Sequence, residues 1–275
     1  MGDFIDLHIH TNKSDGIFSP IDIVNQAKET NLKAISITDH DTLDGYYDAL
    51  DIAEKYKIEL IPGIELSCEA QEKDIHILGY FIDGKNEEFV KYLEDMRAHR
   101  KMRIYKITEK LSNLSIDISP ESILDEIKNA SPGRLHVARK MVEKGKVKSI
   151  YEAFAKYIGE NSPAYVKKKK ISVKECIRLI HNIGGIAVLA HPGTYRKDHL
   201  ISEFKELGLD GIEVYHPEHQ FSDIRKYQEI SKNLNLFVTG GSDFHGLPED
   251  KREFGRMKIP YNLLEILRKS FLKTI

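Results

Sequence analysis

Two histidines separated by one residue, His8 and His10, close an apolar run that begins at Phe4. Successive side chains of a β-strand point to opposite faces, so His8 and His10 share one face while Leu7 and Ile9 share the other. Two imidazoles so placed can grip one metal ion. Asp15 follows five residues later, in a turn-rich stretch, within reach of the same strand end. Taken alone, the pair reads equally well as one hydrogen-bonded core histidine and one surface histidine.

The wider set points to metal. His40, Glu65, His76, His191, Asp243 and His245 also fall at or near the ends of apolar runs. With His8, His10 and Asp15 they make nine residues, all His or carboxylate and none Cys. Such a mixture suits a hydrolytic zinc, manganese or iron site, and fits neither a cysteine-zinc knot nor an all-oxygen calcium cage. Nine ligands are too many for one ion, so two to three divalent ions (Mn, Zn or Fe) are expected. Glu65 is suited to bridge two of them. Ions roughly 4 Å apart hold a hydroxide between them at neutral pH and neutralise the oxygens of a phosphate under attack. No serine or cysteine nucleophile is then needed. His76 or His216 by itself would be read as a buried, hydrogen-bonded histidine.

The elements that must position these residues follow a βα rhythm. Strands are expected over Phe4–His10, Ala34–His40, Ile58–Ser67 (interrupted by Pro62-Gly63), Asp74–Ile82, Ile186–Ala190, Gly211–Tyr215 and Leu236–Gly240. Helices are expected over Ile21–Thr30, Leu43–Tyr56, Val173–Asn182, Leu200–Leu207, Phe221–Asn233 and Tyr261–Leu272. Ser19-Pro20 supplies an N-cap and a first-turn proline for the first helix. Strands and helices alternating through short joins imply parallel βα units, whose sites form at the C-terminal strand ends. Between residues 86 and 170 the rhythm breaks into helical patterns alone: Glu87–Leu114, Pro120–Ile127, Arg134–Lys144 and Ser149–Tyr157. The expected organisation is a barrel of residues 1–85 and 171–275 with an all-helical insertion, 86–170, on the substrate side.

Composition narrows the class. A net charge of −2 over 275 residues argues against a general nucleic-acid coat, while permitting a local basic patch. Cys68 and Cys176 follow no CxxC pattern, which indicates reduced thiols in a cytoplasmic protein. No basic-then-apolar leader and no apolar stretch of about 18 residues occurs, so no membrane association is expected. Gly184-Gly185 precedes a strand instead of following one and is no dinucleotide fingerprint; a Walker loop is absent.

The segments Asp6-Leu7-His8-Ile9-His10-Thr11, Ile37-Thr38-Asp39-His40, Gly63-Ile64-Glu65, His76-Ile77-Leu78-Gly79-Tyr80, Leu189-Ala190-His191-Pro192 and Gly241-Ser242-Asp243-Phe244-His245 resemble, in order, the motifs of the PHP (polymerase and histidinol phosphatase) superfamily. The resemblance covers essentially the whole chain. It implies a distorted, TIM-like (β/α)7 barrel with a three-metal site at its C-terminal mouth. It further implies that His8, His10, Glu65 and Asp243 hold one ion, Glu65, His76 and His191 a second, and Asp15, His40 and His245 a third. Asp15, His40, Glu65, His191 and His245 are expected to take part in catalysis itself. Asp15 stands where some relatives have histidine, so the third site differs in affinity or metal preference. Asp39 is expected to orient His40 or a neighbour without binding metal.

The insertion resembles that of stand-alone bacterial members acting on nucleotides, the 3′,5′-nucleoside bisphosphate phosphatases and 5′→3′ exoribonucleases. The matching segments are Gly133–Arg139, Pro163–Val166 and Gly208–Tyr215, with Leu135 where such relatives often carry proline. The implied activity is metal-dependent hydrolysis of a phosphoric ester, on a small phosphorylated nucleotide or short RNA, without a stable duplex complex. Arg97, Arg100, Lys101 and Arg103 cluster on the long insertion helix, and Arg134 and His136 begin another. Arginine forks bind phosphate in bidentate fashion, and a helix start adds backbone donors. Arg134, His136, Arg100 and Arg103 are therefore expected to contact substrate. His219 is expected on the substrate side or as an acid, and Lys167–Lys170 as a solvated basic face. Two alternatives share the barrel: a histidinol-phosphate-type phosphatase, and a non-catalytic metal-bound scaffold, which missing ligands would mark.

Overall fold

The computed structural model describes residues 3–128, 130–247 and 252–274. Positions 1, 2, 129, 248–251 and 275 of the expected segments lie outside the described residues. The chain begins with β1 (Phe4–Ile9), α1 (Pro20–Glu29), β2 (Leu32–Ile37) and α2 (Asp44–Tyr56). Ser19 caps α1 in a reciprocal box with Asp22, which fixes where the chain turns back from the strand. Next come β3 (Glu59–Leu60), β4 (Gly63–Ala70) and β5 (Lys73–Tyr80). The insertion follows as α3 (Glu87–Ser112), α4 (Pro120–Ile127), α5 (Arg134–Glu143) and α6 (Ile150–Ala153), the last running into a π-helical turn at Phe154–Ile158. The βα rhythm resumes with β6 (Ile171–Ser172), α7 (Val173–Asn182), β7 (Ile186–Leu189), α8 (Pro192–Tyr195), α9 (His199–Glu206), β8 (Gly211–Tyr215), α10 (Phe221–Asn233) and β9 (Phe237–Gly240). The chain ends with β10 (Ile259–Pro260) and α11 (Asn262–Thr274).

The strands pair in two sheets, ordered β10-β1-β2-β3 and β6-β4-β5-β7-β8-β9. Isolated bridges join them at both seams, Ile9 with Phe244 and His40 with Glu65. The first seam carries the bond from His10 N to the Phe244 carbonyl (2.9 Å), the second that from Asp41 N to the Glu65 carbonyl (3.1 Å). The ring so closed runs through β1, β2, β4, β5, β7, β8 and β9, the seven strands expected of the barrel.

Two expectations change. The run from Ile58 to Ser67, expected as one strand interrupted at Pro62-Gly63, is two separate strands: Pro62 has no N–H to donate, and β3 ends before it while β4 starts after. β4 and β5 form an antiparallel hairpin, Gly63 opposite Tyr80 and Ala70 opposite Lys73, and β5 is also antiparallel to β7. The barrel is therefore distorted at one strand. His76 lies in the first half of β5, and because β5 runs backwards that half reaches the same mouth as the C-terminal ends of the others.

Ile5, Leu7, Leu78, Tyr80, Val188 and Ala190 belong to one buried apolar cluster of the barrel, which the last helix joins through Leu264 and Leu267. The insertion holds a second cluster of its own, including Ile104, Leu111, Ile123, Val137, Met141 and Ile158. Helix α3 serves both, since Phe89 at its start packs with the barrel cluster and Ile104 and Leu111 with the insertion.

Candidate metal centre

The two seams bring the chemistry-bearing strand ends together. β1 contributes His8, and the residue just past its end is His10, both essentially inaccessible; the seam to Phe244 sets Asp243 and His245 beside them. A Cβ on Gly241 would strike the His8 backbone, so only glycine lets the chain pass this close to β1. The second seam pairs His40 directly with Glu65.

His8 Nε2 lies 3.2 Å from His10 Nε2, and the two nitrogens lie 3.3 and 3.1 Å from Asp243 Oδ1. Their distances to Glu65 Oε2 are 3.5 and 3.1 Å. Metal–nitrogen bonds of about 2.1 Å place neighbouring ligands about 3.0–3.4 Å apart, so these donors have the spacing of one coordination sphere. His40 Nδ1 faces Glu65 Oε2 at 3.0 Å, buried and without a hydrogen-bond partner. On the other carboxylate oxygen, Glu65 Oε1 lies 2.9 Å from His76 Nδ1 and 3.2 Å from His191 Nε2. Glu65 thus divides its two oxygens between two sets of imidazoles. Asp15 gathers a third set: Oδ1 is 3.2 Å from His245 Nε2 and Oδ2 is 3.7 Å from His40 Nε2. All nine expected residues meet at one mouth. The donor set fits divalent transition metals, and the ligand-atom groupings His8/His10/Glu65/Asp243, His10/Asp15/His40/His245 and His40/Glu65/His76 are each compact enough for an ion.

Electrostatics agree. Burial pulls the His10 ring down, but Asp243, Glu65 and Asp15 outweigh it and raise the pKa to about 10. Burial, reinforced by His10 and His76, lowers His40 to about 3 against the pull of Glu65 and Asp15. A cation entering this pocket displaces protons held only by the surrounding carboxylates. Two members sit in left-handed backbone, His191 at φ 29° and Asp243 at φ 48°, a strain that clusters at functional sites.

Two supporting residues, Glu213 and Arg252, escape a reading of the sequence. Glu213 is fully buried; its Oε1 lies 3.0 Å from His8 Nδ1, and its Oε2 accepts from His191 N at 2.8 Å. It orients one ring and one backbone turn at once. Burial pushes its carboxyl up, but His8, His216 and His191 outweigh that and keep it ionised. The available signal was a lone charge inside the apolar strand Gly211–Tyr215. Arg252 donates to Asp243 Oδ2, leaving Oδ1 toward His8 and His10. Asp39 accepts from Thr11 N (2.7 Å), Thr11 Oγ1 (2.6 Å) and Ser14 Oγ (2.6 Å). It steadies the loop carrying His10 and Asp15, and not the His40 ring.

A cavity of about 260 Å³ opens above the cluster, with Asp15, His40, His76 and His245 on the barrel side. Arg100, Arg103, Arg134, Leu135, Phe154 and Lys168 line it from the insertion. Arg134 stacks between Phe154 and Tyr165, 5.4 Å from each ring centroid. Arg103 donates from Nε to the Val166 carbonyl at 2.8 Å, and Arg100 is held by Asp41 and the Pro132 carbonyl. His136, expected beside substrate, instead accepts the Gly133 N–H at 3.0 Å through Nδ1, and the lining passes from Gly133 through Arg134 and Leu135 without it. His219 is committed at both nitrogens, Nδ1 to the Val214 carbonyl (2.8 Å) and Nε2 from Gly193 N (3.0 Å), which leaves it no proton to donate to substrate. The lysine run is not a uniformly solvated face. Alternation along the extended chain turns Lys168 inward onto Ser67 and Lys170 onto Asp74 (3.0 Å), leaving Lys167 and Lys169 outside.

Comparison with known proteins places this geometry. The sequence profile of the PHP domain matches residues 6–204. The chain is 33% identical over 248 residues to a 5′-3′ exoribonuclease of Haemophilus influenzae, covering 87% of this chain and 89% of that protein. It is 30% identical over 257 residues to a 3′,5′-nucleoside bisphosphate phosphatase of Chromobacterium violaceum, covering 91% and 90%. A crystal structure from Bifidobacterium adolescentis, described as a metal-dependent phosphoesterase, superposes with a TM-score of 0.89 at 28% identity, covering 96% of this chain and 95% of that one.

Proposed function

The chain belongs to the PHP domain family of metal-dependent phosphoesterases, and from that premise we propose that its substrates are phosphorylated nucleotides. The reactions are removal of the 3′-phosphate from nucleoside 3′,5′-bisphosphates and 5′→3′ trimming of short RNA. The observation that carries this reading is the shared cavity, in which the His/carboxylate cluster forms one wall and Arg103, Arg134 and Lys168 another. A ligand with phosphates at two positions uses both walls, whereas a monophosphate uses one. Relatives bearing the two activity names align over nine-tenths of their length.

In this reading His8, His10, Glu65 and Asp243 hold one ion, Glu65, His76 and His191 a second, and Asp15, His40 and His245 a third. Bound divalent ions, Mn, Zn or Fe, supply Lewis acidity and hydroxide at neutral pH. The chain supplies the rest. Glu213 accepts a hydrogen bond from His8 Nδ1–H and so keeps Nε2 aimed at the cluster. Arg134 holds the phosphate that is not cleaved, its planar guanidinium already positioned over two aromatic rings. Leu135, Phe154 and Leu247 offer apolar surface to the nucleoside.

Phosphate release from adenosine 3′,5′-bisphosphate with added Mn²⁺, and shortening of a 5′-phosphorylated RNA oligomer, are the expected results. Consumption of neither, or a higher kcat/KM for histidinol phosphate, overturns the reading.

A further inference from the structure

Arg103 and Lys168 line a second concavity as well, of about 320 Å³, on the outer side of the insertion. One side is a stripe of α3: His99, Met102, Arg103 and Lys106, at i, i+3, i+4 and i+7, share a helix face. The other is the extended segment 166–169, tied across by the bond from Arg103 Nε to the Val166 carbonyl (2.8 Å). Arg103 and Lys168 are therefore a wall common to this basin and to the cavity over the metal cluster.

The chemistry of the basin is cationic around an apolar floor. Carboxylates offset part of the charge, since Asp95 lies 2.8 Å from Lys169 Nζ and Glu69 lies 3.0 Å from Lys167 Nζ. Lys106 makes no ion pair among the described residues, and the wall adds Arg103 and Lys168. Between these charges Met102 is 55% exposed, an apolar surface beside Val166. Repeated cations alternating with apolar contacts suit a ligand with repeated phosphates and flat bases, which is single-stranded nucleic acid.

We propose that this basin binds the RNA segment on the 3′ side of the nucleotide being removed, the strand crossing from the metal cavity over Arg103 and Lys168. The inference rests on the nucleotide phosphoesterase reading above. A nucleoside bisphosphate, with its 5′-phosphate on Arg134, carries nothing beyond the phosphate at the metal cluster and never enters the basin; an oligonucleotide continues from that phosphate into it.

The test compares kcat/KM for adenosine 3′,5′-bisphosphate and for 5′-phosphorylated RNAs of two, four and eight nucleotides, in wild type, Lys106→Glu and Met102→Ala. In wild type, kcat/KM is expected to rise with RNA length. Lys106→Glu lowers it about tenfold for the eight-nucleotide RNA and less than twofold for the bisphosphate. Its salt dependence is also shallower, the log–log slope falling by about 0.7 for each phosphate that the variant no longer neutralises. Met102→Ala acts in the same sense on long RNA only. Length-independent turnover, an unchanged Lys106→Glu enzyme on the eight-nucleotide RNA, or turnover of the bisphosphate without any of RNA overturns the basin assignment and leaves the phosphoesterase reading standing. Consumption of none of these substrates overturns that reading first.

Discussion

The barrel mouth and the helical insertion face each other across one cavity and are built on opposite plans. At the mouth, acidic and imidazole groups converge with donor separations near 3 Å, and their surroundings hold them there: Glu213 behind His8, Asp39 behind the β1 loop, Arg252 behind Asp243. On the insertion, Arg103 reaches the cavity engaged by one carbonyl, and Arg134 by a weak carbonyl contact and two rings. The mouth is over-determined and the insertion is adjustable. Strand ends closed by seams fix the donor cluster, and an inserted helical layer with a core of its own places cations opposite it.

The largest break in that comparison is expected at the mouth. His10→Ala removes a nitrogen that lies 3.1 Å from both Glu65 and Asp243. Loss of metal-supplied charge stabilisation is worth several kcal/mol, so kcat/KM falls by about 10³-fold or more. Elemental analysis would show less bound metal, while circular dichroism remains that of the wild type. An active variant would contradict the metal assignment.

One layer back, Glu213→Gln tests whether the mouth depends on its support. Glutamine keeps an oxygen for His191 N but turns an N–H₂ toward His8 Nδ1, which favours the tautomer with its proton on Nε2, the nitrogen that faces the cluster. Metal affinity or activity is expected to drop 10–100-fold, as for other partners of metal-bound histidines. A titration of activity against Mn²⁺ checks this. A response within twofold would show that Glu213 only fills space.

The same contrast governs what the sequence made legible. The mouth residues fall at or near the ends of apolar runs, or, for Asp15, in the turn after one, so all nine could be named as candidates from the sequence alone. Strand direction was not legible, because an apolar run carries no sign of parallel or antiparallel pairing, and His76 reached the mouth by the reversed β5. Glu213 was hidden for a related reason: alternation says that a residue shares a face with its second neighbours, not whether that face lines the barrel. On the insertion, basic residues look alike in sequence. Only packing separates Arg134 on the cavity from His136 at a helix start, or inward Lys168 from outward Lys169.

Lys168 gives the insertion a pH dependence of its own. Burial, with Arg100 nearby, lowers its pKa to about 7 against the pull of Asp41 and Asp74. The side chain is a cation below that pH and increasingly neutral above it. KM for adenosine 3′,5′-bisphosphate is therefore expected to rise severalfold between pH 6 and 8.5. Lys168→Arg, which stays charged throughout, flattens the dependence. A KM profile that rises equally in the arginine variant would assign the titration elsewhere.

The smallest effect separates the two roles available to His136. Its Nδ1 accepts the Gly133 N–H, so the neutral ring carries its proton on Nε2, and burial lowers its pKa to about 4, against a modest pull from Asp15. At neutral pH it is thus an uncharged cap on the first turn of α5, with little attraction for phosphate. Capping residues contribute about 1 kcal/mol. His136→Ala should therefore lower Tm by a few degrees and raise KM for the bisphosphate less than threefold. His136→Gln, which can reach back to the Gly133 N–H from the same position, should recover most of the stability. A loss of 10²-fold in kcat/KM at unchanged Tm would make His136 a substrate contact, and would extend to the insertion the convergence of side chains seen at the mouth.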